Sequence, residues 1–211
     1  MTRPQPRRKR IGLLGGSFNP PHQAHLALAG LALQALALDE VRWLPAGEPW
    51  QKAGQPMASA EHRLAMLAAL LQGQAQQVID PRELRRAGPT YTIDTVRELV
   101  AEQPEADWFF ILGQDQYADF DRWRDWPELL QHLTLAVAAR AGQAPEPPPA
   151  VAAVAHRCMR LDLPAIDVSA SDIRQRLAAG QTVAALVGPQ VAGYIDRHHL
   201  YSSPQQQDTA H

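Results

Sequence analysis

The sequence predicts an α/β fold built on a mostly parallel sheet. Short apolar runs of strand type recur along the chain, longer Ala- and Leu-rich helical stretches separate them, and glycine or proline closes most of the runs. Crossovers in such a fold are right-handed. Ligands bind beyond the carboxyl ends of the strands, near the point where the strand order reverses. The loops after Leu14, Leu44, Ile79, Leu112 and Ala139 are therefore where function is sought.

The elements follow in order. Ile11 to Leu14 is a short apolar run ended by Gly15-Gly16. Ala24 to Leu38 is rich in Ala and Leu without an internal proline, and reads as a helix. Val41 to Leu44 is a strand closed by Pro45. Ala60 to Leu71 is a helix with Ser59 as its N-cap. Val78-Ile79 is a short strand stopped by Asp80-Pro81, and Ile93 to Glu102 is a helix that Thr92 can cap. Trp108 to Leu112 is continuously apolar up to Gly113, the pattern of a central strand buried on both faces, and Leu133 to Ala139 is another. Gln143 to Ala150 holds four prolines, which exclude helix interior and central strand, so it reads as a surface loop leading to Arg157–Leu161 and not as a domain linker.

Composition narrows the function classes. At 211 residues, with 45% apolar and 20% charged residues, the chain is expected to form one domain over residues 1–201, with a basic arm at 1–9 and a disordered tail at 202–211. Size scaling has such a domain bury roughly 70% of the surface its unfolded chain exposes, so its core needs no staple. The single cysteine, Cys158, can form no internal disulfide and has no C-x-x-C partner; the chain reads as cytoplasmic and Cys158 as buried packing. A net charge of -2 offers no electrostatic case for a nucleic-acid partner. No window approaches the roughly 18 to 20 apolar residues of a membrane span. Ile11-Gly12-Leu13-Leu14 is too short for the apolar core of a signal peptide. Oligomeric state is left open, and His198-His199 reads as a surface pair.

The most informative stretch is Gly15-Gly16-Ser17-Phe18-Asn19-Pro20-Pro21-His22-Gln23-Ala24-His25, between the first strand and the first helix. Gly15 and Gly16 permit close approach of backbone to a ligand and dihedrals closed to other residues. The helix N-terminus that follows offers free N–H groups and partial positive charge, a ready phosphate site. His22 and His25 share one face of its first turn and can donate to phosphate oxygens whose charge grows in a transition state. The loop is neither G-x-G-x-x-G nor a P-loop, and no carboxylate or third ligand adjoins the histidines to complete a metal site.

This stretch resembles the signature of the nucleotidyltransferase superfamily, with Ala24 where the H-x-G-H pair usually has glycine. Its Gly-Gly-Ser-Phe-Asn-Pro opening is similar to that of the bacterial nicotinate-nucleotide adenylyltransferases. Asn19 stands where many members have Asp, which points to a loop-shaping role. Near the far end, Val168-Ser169-Ala170-Ser171-Asp172-Ile173-Arg174 opens a helix that Ser169 or Ser171 can cap, and two hydroxyls with Arg174 make a phosphate cradle. It resembles the superfamily's I-S-S-T-x-I-R motif, which implies that Ser169, Ser171 and Arg174 hold the β and γ phosphates of ATP.

The resemblance extends between the motifs. It implies a basic residue at the transferring phosphate after the second strand, for which Lys52 in Pro49-Trp50-Gln51-Lys52 is the candidate. Thr90-Tyr91-Thr92-Ile93-Asp94-Thr95 is similar to a segment beside nicotinate mononucleotide, and Trp123 matches a tryptophan that stacks on the nicotinate ring. Gly113-Gln114-Asp115 resembles a Gly-x-Asp near the adenosine ribose. Arg140, after the fifth strand, is a further candidate near the nucleotide.

These readings converge on a Rossmann-like, doubly wound sheet with helices on both faces and a small helical C-terminal part. The implied reaction transfers the adenylyl group of ATP to nicotinate mononucleotide, with His22, His25, Lys52 and Arg174 as the catalytic set. ATP would contact Gly15, Gly16, Ser17, Phe18, His22, His25, Gly113, Asp115, Arg140, Ser169, Ser171 and Arg174. The mononucleotide would contact Gly16, Ser17, Lys52, Thr90, Tyr91, Thr92 and Trp123. Mg2+ would arrive with ATP, since no carboxylate cluster in the sequence offers a dedicated cage. A related transferase acting on nicotinamide mononucleotide or phosphopantetheine, and a non-catalytic nucleotide-binding regulator, are the alternatives.

Overall fold

The computed structural model describes residues 7–49, 57–140, 142–164 and 168–202. The chain enters with β1 (Arg10–Gly16), passes through α1 (Gln23–Ala35) to β2 (Glu40–Pro45), and continues through a two-residue strand β3 (Glu48–Pro49) and α2 (Ala60–Leu70) to β4 (Gln77–Ile79). After β5 (Pro89–Thr90) and α3 (Thr92–Glu102) it returns to the middle as β6 (Asp107–Gly113). It then moves outward through α4 (Gln114–Ala118), α5 (Trp126–His132), β7 (Leu133–Arg140), α6 (Pro149–Ala152) and β8 (Arg157–Leu163). The helices α7 (Ala170–Ala178), α8 (Ala184–Val187) and α9 (Pro189–Arg197) follow.

The main sheet has the order β4-β2-β1-β6-β7-β8, and every neighbouring pair is parallel. The chain works outward from β1 in one direction, then restarts at β6 and works outward in the other. The reversal lies between β1 and β6, so the loops leaving their carboxyl ends flank a crevice. This is the Rossmann-like α/β arrangement expected from the sequence.

Side chains alternate across the sheet and build one core on each face. Phe109, Ile111, Trp43 and Leu14 join α1, α2 and the C-terminal helices. Trp108, Phe110, Leu112, Ile11 and Leu13 join the layer of α3 and α5. Burial on both faces is why these strands are continuously apolar. Gly12 sits at the middle of β1, where a Cβ would lie 2.8 Å from Leu38 Cδ1, 3.0 Å from Ile111 Cδ1 and 3.2 Å from Val41 Cγ2. Its missing side chain is what lets those three pack over the central strand.

Several local expectations are refined. α1 ends at Ala35, three residues before Leu38. Ala37 adopts a left-handed conformation (φ 46°), the Ala37 amide donates to Gln34 and the Leu38 amide to the Leu33 carbonyl. That closure usually employs glycine, so no residue type marked the stop. Ser59 caps α2 as expected, its hydroxyl accepting from the His62 amide at 3.3 Å. α3 is capped one residue earlier than expected: Tyr91 is the extended N-cap and Thr92 is the first helical residue, because Thr90 is held in the β3–β5 ladder.

The proline-rich segment stays irregular until Pro149 takes the first position of α6, a place where its missing N–H goes unneeded. The stretch after it pairs with β7 from Arg157 to Leu163 as the edge strand. Cys158 lies exposed on that edge and is not the buried residue expected from its type. β8 has a neighbour on one side only, and Leu161 is its buried residue among those described. No helix among the described residues is long and apolar enough to cross a membrane.

Ala37 is exposed and bears only the steric penalty of its conformation. Ala37→Gly should raise unfolding stability by about 1 kcal/mol, measured as a higher urea midpoint with an unchanged slope. An unchanged or lower midpoint would contradict the strain.

Candidate active site

The segment from Gly15 to His25 joins the carboxyl end of β1 to α1. Gly15 and Gly16 complete the strand, and neither has a positive φ, so the expected dihedral freedom is not what they supply. At Gly16 smallness is what counts: a Cβ there would stand 3.1 Å from the Phe18 ring, whereas one on Gly15 would meet Phe110 at 3.6 Å, an ordinary contact. The positive φ belongs instead to Phe18 (46°), whose buried ring meets His25 edge-on with centroids 5.1 Å apart and Trp43 at 5.3 Å. The Asn19–Pro20 bond is cis.

His22 is the N-cap of α1, and its backbone N–H donates to His25 Nδ1 at 3.3 Å. The two rings stack with centroids 3.7 Å apart. Because Nδ1 of His25 accepts that bond, the neutral ring carries its proton on Nε2. His22 is 6% exposed, and burial pushes its imidazole down from 6.5 to about 4, so it is neutral at pH 7. Its Nδ1 is buried without a hydrogen-bond partner among the described residues.

The second motif reaches this loop. Ser169 caps α7 by accepting from the Asp172 amide at 3.1 Å. Arg174, one turn in, donates to the Asn19 carbonyl at 2.8 Å and to Ser171 Oγ at 3.2 Å. Asn19 is buried, and its Oδ1 accepts from the Ala58 amide at 3.1 Å and the Tyr201 hydroxyl at 2.7 Å. It has the loop-shaping role expected for it.

Beside this lies the Thr90–Thr95 segment. Thr90 is buried and pairs with Pro49, which ties it to the chain leaving β2. Thr95 is fully buried; its hydroxyl donates to Glu83 Oε1 at 2.9 Å and accepts from Arg86 at 3.1 Å. Burial pushes the Glu83 carboxyl up. Tyr91 lies under the Arg124 guanidinium, 4.6 Å from its ring centroid. Trp123 is half-buried, stacked on Phe120 at 5.2 Å and edge-on to Phe110 at 5.6 Å. Since Phe110 also lies against Gly15, the tryptophan and the glycine loop share one aromatic support.

Gly113 closes β6, and exposed Asp115 sits in the first turn of α4. Between them Gln114 forms two hydrogen bonds to the backbone of Glu146, at 2.8 and 3.1 Å, anchoring the proline-rich loop at this end of the sheet. Arg140 is the last residue of β7. Lys52 lies outside the described residues.

Three residues that sequence reasoning passed over also converge here: Arg63, Gln114 and Tyr201. Arg63 carried a readable signal. It occupies the same helical face of α2 as Met66, Leu67 and Leu70, where a charged side chain is out of place. Tyr201 follows the last helix outside any motif and Gln114 stands in an ordinary helix start, so neither carried one.

The cytidylyltransferase-like family profile matches residues 13–176. A probable nicotinate-nucleotide adenylyltransferase of Methylibium petroleiphilum is 50% identical over 201 residues, covering 93% of this chain and 94% of that protein. A probable nicotinate-nucleotide adenylyltransferase of Bordetella petrii is 51% identical over 199 residues, covering 92% and 99%. Among solved structures, the Plasmodium falciparum nicotinic acid mononucleotide adenylyltransferase complexed with NaAD superposes with a TM-score of 0.73 at 18% identity, over 92% of this chain and 98% of that one, a likeness of fold. The chain therefore belongs to the nicotinate-nucleotide adenylyltransferase family, within the cytidylyltransferase-like nucleotidyltransferases.

Proposed function

We propose that this site transfers the adenylyl group of ATP to nicotinate mononucleotide, releasing pyrophosphate and forming nicotinate adenine dinucleotide for NAD biosynthesis. The observation that carries the reading is the 2.8 Å hydrogen bond from Arg174 to the Asn19 carbonyl, which joins two phosphate-type motifs 155 residues apart. One helix start accounts for a single phosphate; two converging starts with an arginine between them suit a triphosphate.

In the reaction a phosphate oxygen of nicotinate mononucleotide forms a bond to the α-phosphorus of ATP. The bond from that phosphorus to the bridging oxygen of the departing pyrophosphate breaks on the opposite side. The attacking phosphate is already ionised, so the protein needs no strong base and works by positioning and by meeting charge. His25 would donate from Nε2 to a reacting phosphate oxygen. His22 is held neutral and can give one hydrogen bond to a phosphate oxygen without placing a charge against the stacked His25 ring. Ser169, Ser171 and Arg174 would hold the outer phosphates, and Lys52 would face the transferring one. Mg2+ would enter on the triphosphate as part of the substrate. Gly113, Asp115 and Arg140, at the ends of β6 and β7, would receive the adenosine. Gly16, Ser17, Thr90, Tyr91 and Thr92 would line the mononucleotide, and Trp123, braced by Phe120 and Phe110, would present a fixed flat face to the pyridine ring.

Pyrophosphate release from ATP should be seen with nicotinate mononucleotide, and more slowly with nicotinamide mononucleotide or phosphopantetheine; a folded protein silent with all three refutes the reading. His25→Ala should lower kcat by about 100-fold or more with an unchanged circular dichroism spectrum, and a near-normal kcat removes His25 from its assigned role. Trp123→Ala should raise KM for the mononucleotide roughly tenfold while moving KM for ATP little; equal effects on both would place the ring elsewhere.

The neutral state of His22 has a consequence for stability. Between pH 6.5 and about 4 the unfolded chain binds a proton on this imidazole and the folded chain does not, so acid favours unfolding. The parent should therefore lose stability relative to His22→Asn as pH falls from about 6.5 to about 4, by on the order of 3 kcal/mol. Urea melts of both proteins at pH 7 and pH 4.5 measure it, and parallel pH dependence would show that His22 is protonated in the folded state.

A further inference from the structure

We propose that Arg63 is a positioning residue for adenylyl transfer, clamping the glycine loop and the two ends of the Lys52 segment into one arrangement. The inference rests on the adenylyl-transfer reading of the site. Arg63 is 2% exposed. Its Nη1 donates to the Ser17 carbonyl at 2.9 Å and to the Ala46 carbonyl at 2.7 Å. Its Nε donates to the Ala58 carbonyl at 3.2 Å, and Nη2 reaches the Gly47 carbonyl at 3.4 Å. One planar group thus gathers backbone from three places: the phosphate loop, the exit from β2, and the entry to α2.

The choice of residue is informative because it is expensive. An apolar side chain would suit this face of α2 better, and a buried charge without a counterion is costly. Among the described residues no carboxylate forms an ion pair with Arg63; its charge is met by carbonyl oxygens. What arginine supplies is a rigid fork of five donors, able to fix several acceptors at once, which neither lysine nor a neutral amide can do. The acceptors are not random. Ala46 and Ala58 bracket the stretch that holds Lys52, and Ser17 lies in the loop that leads to His22 and His25. Ala46 is bound to the glycine loop a second time, its amide donating to the Gly16 carbonyl at 2.9 Å. Gly47 itself admits no side chain, since a Cβ there would run into the Glu83 carbonyl. Arg63 therefore fixes the glycine loop against the exit from β2 and the entry to α2 through backbone carbonyls.

The test compares Arg63→Lys, which keeps the charge and loses the fork, with Arg63→Met, which loses both. Each is assayed well below its melting temperature, with amide hydrogen exchange measured at Ser17–Asn19, Ala46–Gly47 and Ala58. The expected result is folded protein by near-UV circular dichroism and kcat lowered roughly thirtyfold or more in both variants. Both KM values should stay within about threefold, and exchange should quicken at those amides and not across β6. A Lys variant with kcat within threefold of the parent overturns the proposal, as does exchange that quickens uniformly through the sheet. Failure of both variants to fold overturns it as well, since Arg63 then serves the fold alone. The parent's own pyrophosphate release reports separately on the adenylyl-transfer reading, and the exchange comparison decides the clamp whatever that reading's fate.

Discussion

The active-site loop depends on the hydrogen bonds that converge on Asn19. Its side-chain oxygen accepts from Ala58 and from Tyr201, and its carbonyl accepts from Arg174. These partners come from the approach to α2, the segment that follows α9 and the start of α7. A loop carrying unpaired backbone groups would ordinarily stay at the surface and mobile. This one is buried over Phe18, Asn19, Pro20, Pro21 and His22, and so must have its polar groups met by protein. Asn19 and Arg63 do that together, one chiefly as acceptor and the other as donor. The C-terminal helices are therefore part of the site's architecture. Burial raises the Tyr201 hydroxyl's pKa well above its ordinary value, so it remains a donor throughout the neutral range.

The position of that loop follows from the central strand. β1 has neighbours on both sides and cores on both faces, and Gly12 lets Leu38, Val41 and Ile111 close over it. A strand so enclosed has little freedom to shift, and the loop at its end inherits the rigidity. β6 does the same for Gly113 and, through Phe110, for Trp123. The glycine loop and the Trp123 ring, the two candidate groups most distant in chemistry, are thus mounted on adjacent strands at the reversal of sheet order.

How far the sequence disclosed this depended on the kind of interaction. Strands β1, β2, β6 and β7 were legible because burial on both faces leaves continuous apolar runs. α2 and α7 were legible at their starts because a serine hydroxyl satisfies a free amide in each. The stop of α1 was not, since Ala37 accepts a conformation that residue type discourages. The reason for Gly16 was misjudged because a crowded aromatic neighbour and a left-handed turn leave the same mark in sequence. Cys158 was misjudged because burial by residue type ignores that the sixth strand lies at an edge. Within the site, the side chains in local motifs were the legible ones, and the structure draws the two phosphate-type motifs together through Arg174 and Asn19. Groups that act on backbone carbonyls leave no motif: Arg63 showed only as a charge on the apolar face of α2, and its acceptors, spread over residues 17 to 58, have no side-chain identity.

The same distinction resolves the near-neutral net charge. Most of the other cations are paired with carboxylates. Arg82 is shared among Asp80, Glu98 and Glu102, Arg97 among Asp94, Asp125 and Glu128, and Lys9 and Arg42 both meet Glu40. In such pairs each cation is cancelled by a neighbour, and exposed pairs add little stability. Arg63 and Arg174 instead give their hydrogens to carbonyl and hydroxyl oxygens, which orient the guanidinium without neutralising it. A cation held by dipoles keeps its field. Both guanidinium groups bind this buried loop, at the Ser17 and Asn19 carbonyls, and under the proposed reading their field would reach a polyphosphate with less screening than a surface charge would suffer. The chain can therefore be slightly acidic overall and still be cationic at this loop, because the type of partner, and not the number of arginines, decides where positive charge survives.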